Sequence, residues 1–163
     1  MKTLFLARHA KSNWDQPANN DFERTLNDRG EADSVSMAAL LQKNNYTLDQ
    51  IISSDAVRAL ATARQYEAQL QPEHGLITNH DLYCASLQQL LQAIKNISSE
   101  NKAVMLVGHN PGMSEVLNYL ASSDVADMPT CSVGIIRFEV EQWRDVSIES
   151  SELLAFEYPE KHQ

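Results

Sequence analysis

Leu4-Phe5-Leu6-Ala7-Arg8-His9-Ala10-Lys11-Ser12 is an apolar run that stops at an arginine and a histidine side by side. Thr3 to Ala7 is short, apolar and bounded by charge. That predicts a strand buried on both faces rather than a half-exposed, alternating one. Strands of this kind belong to parallel sheets covered by helices, where ligands gather outside the strands' C-terminal ends. Arg8 and His9 fall at such an end.

Two further junctions repeat the pattern. Leu48 to Ser53, centred on Ile51-Ile52, predicts a second strand, with Ser53-Ser54-Asp55 as cap residues for a helix whose stripe is Ala59, Ala63, Tyr66 and Leu70. Arg58 lies in that helix's first turn. Ala103 to Val107 predicts the most apolar strand and runs into Gly108-His109-Asn110-Pro111-Gly112. Asn110 suits an N-cap and Pro111 the first helical position, where its missing N–H would have no partner. Met113, Val116, Leu117 and Leu120 give the buried face of the helix that follows.

Between these junctions, Ser12 to Asp28 carries Pro17, Asn19 and Asn20 and no sustained apolar period, which predicts a functional loop. Asn27 or Asp28 can cap the next helix, with Ala32, Val35 and Ala39 on one face, Leu40 and Leu41 near its end, and Asn44-Asn45 as its stop. Leu76 to Leu82 predicts a short edge strand. Leu87, Leu90, Leu91, Ile94 and Ile97 repeat at helical spacing. Ser122 to Pro129 is a loop, and Ser132–Val140 and Leu153–Tyr158 are the last strands. The order predicts one α/β domain over residues 1–163, a three-layer α/β/α sandwich with a mostly parallel sheet and later strands free to pair antiparallel.

The 163 residues carry a net charge of -9, which argues against nucleic acid or anionic membrane as a general partner. An anionic substrate must be held locally. No apolar leader precedes Arg8-His9 and no run approaches the ~20 apolar residues of a bilayer span, so a soluble cytoplasmic protein is expected. Cys84 and Cys131 form no CxxC pair and are expected to be reduced thiols. His74, His80 and His162 lack ligand spacing, so no metal or other cofactor is expected.

Right-handed crossovers bring the ends of parallel strands to one sheet edge, so Arg8, His9, Arg58 and His109 are expected to converge there. Two guanidinium forks, two imidazoles and a helix N-terminus suit a tetrahedral dianion. A neutral imidazole in such a pocket can attack phosphorus, giving a phosphohistidine that water later hydrolyses. The arginines would neutralise the equatorial oxygens without a metal. His9 is the better nucleophile candidate because Arg8 anchors the anion beside it, and His109 would donate hydrogen bonds to the transferring group.

Arg8-His9-Ala10-Lys11-Ser12, Ser53-Ser54-Asp55-Ala56-Val57-Arg58-Ala59 and Val107-Gly108-His109-Asn110-Pro111-Gly112 resemble the three core motifs of the histidine phosphatase superfamily, with its phosphoglycerate mutase-like fold. The likeness is strongest to short, SixA-type phosphohistidine phosphatases and covers residues 3–112 closely. It implies His9 as the phosphorylated nucleophile, with Arg8, Arg58 and His109 binding the phosphoryl group. Arg24, in Glu23-Arg24-Thr25-Leu26, resembles an arginine that short members carry before their first helix, and it would border the pocket. Many relatives place a proton-donating acid just before a Leu-Tyr pair. Here the segment reads Asn79-His80-Asp81-Leu82-Tyr83, with His80 at the expected place and Asp81 as the candidate acid.

A missing acid is more tolerable when imidazole leaves from a phosphoramidate than when alkoxide leaves from an ester. Protein phosphohistidine, carried by a histidine-phosphorylated signalling protein, is therefore the favoured substrate. The alternatives are small phosphate esters, a mutase, or a phosphate-binding module without turnover. Cys131-Ser132-Val133-Gly134-Ile135-Ile136-Arg137 has the spacing of a cysteine-dependent phosphatase, but Val133, Ile135 and Ile136 predict a strand where that chemistry needs a phosphate-cradling loop.

Overall fold

The computed structural model describes residues 1–14 and 20–162. Pro17 and Asn19, assigned above to a loop, lie outside the described residues. Strands β1 (Lys2–Arg8), β2 (Gln50–Ser53), β3 (Leu76–Thr78), β4 (Ala103–Gly108), β5 (Val133–Phe138) and β6 (Ser151–Glu157) form one sheet in the order β3-β2-β4-β1-β5-β6. The first four are parallel, and β5 and β6 join antiparallel. The expected sandwich is the observed one.

Helices α1 (Asp28–Lys43) and α2 (Val57–Leu70) cover one face, and α3 (Leu87–Lys95) and α4 (Gly112–Ala121) the other. The alternation of the strands divides the core accordingly. Phe5, Ala7, Met105 and Val107 pack with Met37, Leu41, Ala63 and Tyr66, while Leu4, Leu6, Val104 and Leu106 pack with Leu90, Ile94, Leu117 and Leu120. Both faces of β1 and β4 are therefore apolar, which is why the two segments read as continuous runs. β1 sends its helix to one face and its neighbour β4 sends its helix to the other. The strand order reverses between them, and in open α/β sheets that point is where ligands bind.

Three local expectations are corrected. The buried face of α1 is Gly30, Asp33, Ser34, Met37, Ala38 and Leu41, while Ala32, Val35 and Ala39 are exposed. Two of those six positions are polar because each is satisfied locally, Asp33 by Arg29 Nε at 3.0 Å and Ser34 Oγ by donating to Glu31 O. Asn27 does cap the helix, accepting from Gly30 N. The first residue of α2 follows Ala56, with no side-chain cap, so Ser54 and Asp55 are free for other partners. The cap position of α4 is Pro111 rather than Asn110, yet Asn110 Oδ1 still accepts from Ser114 N at 3.1 Å.

Two close approaches fix the loops beside the strand ends. A Cβ on Gly30 would lie 2.0 Å from Lys11 O, so only glycine lets α1 abut the segment after β1. A Cβ on Gly112 would lie 2.3 Å from Ala85 O, where α4 meets the segment carrying Tyr83 and Cys84. Among the described residues no helix is long and apolar enough to cross a membrane.

Candidate active site

Arg8 pairs in register with Gly108, so the residues that follow, His9 and His109, leave the sheet side by side. Their rings lie 5.1 Å apart between centroids. His9 is pinned through its backbone, its N–H donating to Gly108 O and its carbonyl accepting from Cys131 N. Ala10 N donates to Thr62 Oγ1, which in turn donates to Arg58 O, so the chain after β1 is tied to the first turns of α2. Arg8, His9, Arg24, Arg58 and His109 line one cavity of about 300 Å³, together with Trp14, Asp21 and Cys84. The expected convergence of Arg8, His9, Arg58 and His109 is therefore a feature of the fold.

Hydrogen bonds set the state of each imidazole. His9 Nδ1 lies 2.7 Å from Ala10 O and can only donate to it, which leaves Nε2 with its lone pair. Arg58 Nε donates towards that lone pair at 3.4 Å. Burial lowers the His9 pKa most; the hydrogen bond to Ala10 opposes it, His109, Arg58 and Arg8 add to it, and the result is about 3. The ring is neutral at physiological pH and its nucleophilic nitrogen faces an arginine.

His109 Nε2 is 2.8 Å from Ser54 Oγ, and Ser54 Oγ also accepts from Ala56 N. Ser54 is fully buried and, among the described residues, Nε2 is the acceptor its hydroxyl proton reaches, so the tautomer with the His109 proton on Nδ1 satisfies both groups. Burial, then Arg58, pushes His109 down to about 4. His109 Nδ1 and Arg8 Nε are both buried without a protein partner. Buried donors are nearly always paired in native proteins, and two orphaned N–H groups in one cavity mark the place of an acceptor-rich ligand. Arg8 Nη1 is held by Met128 O at 2.8 Å, which aims the fork.

Arg24 reaches the same cavity, with Nη1 2.5 Å from Ser12 Oγ and its guanidinium 3.7 Å above the exposed ring of Trp14. Asp81 does not reach it. Its side chain is exposed and lines a separate groove between β3 and α3 with Thr78, Gln89 and Asn96. The 3₁₀ turn His80–Leu82 points the carboxylate outward, and His80 Nδ1 meets Asp55 at 2.9 Å.

The cavity's carboxylate is instead Asp21, which the sequence reading did not single out. Its Oδ2 accepts from Arg58 Nη2 at 3.0 Å and from Tyr83 OH at 2.5 Å, its Oδ1 from Arg24 Nε at 3.2 Å, and its backbone oxygen from Arg58 Nη1 at 2.6 Å. Partial burial raises its pKa, but the Tyr83 hydrogen bond and the two guanidinium groups outweigh that and hold it at about 2. Tyr83 rises to about 12, chiefly because its proton is held by Asp21. Ser54 was likewise missed as a partner of His109. The one signal for Asp21 was its place in a long polar loop next to Arg24.

Cys131 is not a second nucleophile. It is buried, burial pushes its thiol up to about 12, and Arg137 lies on β5 paired with Glu152.

Residues 4–83 match the model of the histidine phosphatase superfamily, branch 1. The proposed phosphohistidine phosphatase SixA of Agrobacterium tumefaciens has a solved structure that superposes with a TM-score of 0.82 at 27% identity, covering 97% of this chain and 98% of that one. The protein histidine phosphatase SixA complexed with tungstate superposes equally well, at 0.82, but at 16% identity it is a likeness of fold. An uncharacterised chloroplastic protein of Arabidopsis thaliana is 28% identical over 153 residues, 88% of this chain and 70% of that protein.

Proposed function

The chain belongs to the histidine phosphatase superfamily, and from that premise we propose that it is a phosphatase that works through phospho-His9 and takes protein phosphohistidine as its substrate. The observation that carries the proposal is the His9 Nε2 lone pair flanked by two orphaned donors, Arg8 Nε and His109 Nδ1.

The chemistry follows from that arrangement. The phosphoryl oxygens take the Arg8 and His109 N–H groups, with Arg58 Nε beside the reacting nitrogen. His9 Nε2 attacks phosphorus in line, its bond forming as the bond to the leaving group breaks. Charge on the equatorial oxygens is met by fixed donors that need no rearrangement as it develops. Water then attacks the phosphoryl group of phospho-His9, and inorganic phosphate leaves.

Two features favour a protein substrate over a small ester. The chain between β3 and β4 holds only a 3₁₀ turn and the nine-residue α3, so that segment supplies no large lid over the cavity. Trp14 stands exposed at its mouth, stacked on Arg24, where a partner surface can meet it. On this reading the partner is a signalling protein phosphorylated on histidine.

The test is a turnover panel at equal concentrations of a histidine-phosphorylated protein, sugar phosphates and aryl phosphates. Preference for the phosphohistidine protein in kcat/KM supports the proposal. Turnover of sugar phosphates alone would make the chain a small-ester phosphatase, and binding of phosphate without turnover would make it a non-catalytic module.

A further inference from the structure

We infer that Asp21 takes the proton from the water that hydrolyses phospho-His9, and that it gives no proton to the leaving group when phospho-His9 forms. Given phosphorylation of His9 as proposed above, a carboxylate could either give a proton to the leaving group or take one from the water, and an ionised one can do only the second from its resting state.

The placement is specific. A single guanidinium separates Asp21 from the nucleophile: Arg58 Nε faces His9 Nε2 at 3.4 Å, while its Nη2 holds Asp21 Oδ2 at 3.0 Å. The hydrolytic water then sits between the Asp21 carboxylate and the phosphoryl group. Among the described residues lining the cavity, Asp21 is the sole carboxylate. The other groups there are poor proton acceptors. His109 has no free lone pair, because Ser54 occupies Nε2 and the proton is on Nδ1. Tyr83 already donates to Asp21.

Arg58, Arg24 and Tyr83 surround the carboxylate, which has two consequences. They neutralise it, so a phosphoryl dianion can approach without facing an uncompensated like charge. They also keep it ionised, ready to accept a proton and unable to supply one.

The two half-reactions then balance as follows. In the first, the His9 Nε2 lone pair forms the N–P bond, and the electron pair of the substrate's P–N bond returns to the departing imidazole. A phosphohistidine protonated at its far nitrogen leaves as neutral imidazole and needs no proton from the enzyme, whereas an alkoxide would. In the second, the water oxygen bonds to phosphorus, the P–N bond to His9 breaks with its pair returning to Nε2, and the water proton passes to Asp21. Asp21 returns that proton to solvent as phosphate leaves. Selection of phosphoramidates over alkyl esters is thus built into the charge state of one side chain.

The experiment compares the wild type with Asp21→Asn under single-turnover rapid quench, using a protein carrying radiolabelled phosphohistidine. Asparagine keeps an acceptor oxygen for Arg58 and Tyr83 but cannot take a proton. The variant is expected to be labelled on His9 within about 3-fold of the wild-type rate and to lose the label about 100-fold more slowly, the scale of a lost general base. Equal decay of the label in both proteins overturns the assignment and leaves phospho-His9 standing. Failure of the variant to label at all while the wild type does so overturns it as well, since Asp21 would then be needed in the first step. No label in either protein overturns the phospho-His9 proposal itself. An Asp21→Glu variant that restores fast decay supports the assignment, because only a proton acceptor has been returned.

Discussion

Mild acid should destabilise this protein, and the two active-site imidazoles set the size of the effect. His9 and His109 are 6% and 4% exposed and are held at about 3 and about 4, below the ordinary histidine value of 6.5. Below pH 6.5 the unfolded chain binds a proton at each position and the folded chain does not, so stability falls as pH falls until the folded values are reached. Each group contributes a slope of about 1.4 kcal/mol per pH unit, so at about pH 5 each has removed roughly 2 kcal/mol. A domain of this size has only about 5–15 kcal/mol in total, so the loss is large. Asp21 does not offset it, because its lowered value gives stability that is lost only below the ordinary carboxylate range. The perturbation is His9→Gln, which keeps a polar side chain of similar reach and cannot titrate. Urea unfolding of both proteins from about pH 7.5 to 5 should show the variant's slope reduced by about 1.4 kcal/mol per unit below pH 6.5. Parallel slopes would refute the claim that His9 is held neutral by burial, and with it the claim that Nε2 is a ready nucleophile.

Other substitutions separate the parts of the site. Arg58→Lys keeps the charge but loses the fork that spans His9 and Asp21, and should cut kcat/KM by about 100-fold; a loss under 3-fold would show that charge alone suffices. Ser54→Ala leaves His109 Nε2 without its donor, so a fall in kcat of roughly 10-fold is expected, with a cost of about 1 kcal/mol in stability, and nitrogen NMR of the ring should show the tautomer no longer fixed. Asp81→Asn should leave kcat and KM within about 2-fold, since the group lines a different groove. Gly30→Ala should lower stability and disturb the Lys11–Ser12 segment, read as a reduced Tm together with a raised KM.

The sequence made the sheet legible because the centres of β1 (Leu4–Ala7) and β4 (Val104–Val107) are buried on both faces and so are apolar at every position. The pairing of Arg8 with Gly108 made the meeting of His9 and His109 a matter of topology, which motif order carries. The face of α1 was misread because its buried side holds Asp33 and Ser34, whose local hydrogen bonds no apolar pattern reveals. Ser54 was read as a cap because serine at a helix start has that role by default, whereas its actual partner is 55 positions away. Asp21 was hidden for a similar reason. Its partners Arg58 and Tyr83 come from distant elements, and nothing within its polar loop distinguishes it from a solvated carboxylate. Asp81 drew attention through its neighbours in sequence, yet a 3₁₀ turn carries it away from the cavity. Contacts between distant segments decided the cases of Ser54 and Asp21, and local hydrogen bonds and turn geometry those of α1 and Asp81.

The central claim is that His9 Nε2 becomes covalently phosphorylated. Rapid-quench labelling with a radiolabelled phosphohistidine protein, followed by peptide mapping, tests it most directly. Label that is acid-labile and base-stable, maps to His9 and is abolished by His9→Ala is the predicted result. Release of labelled phosphate with no label on His9 at any quench time, in the wild type or in Asp21→Asn, would contradict it.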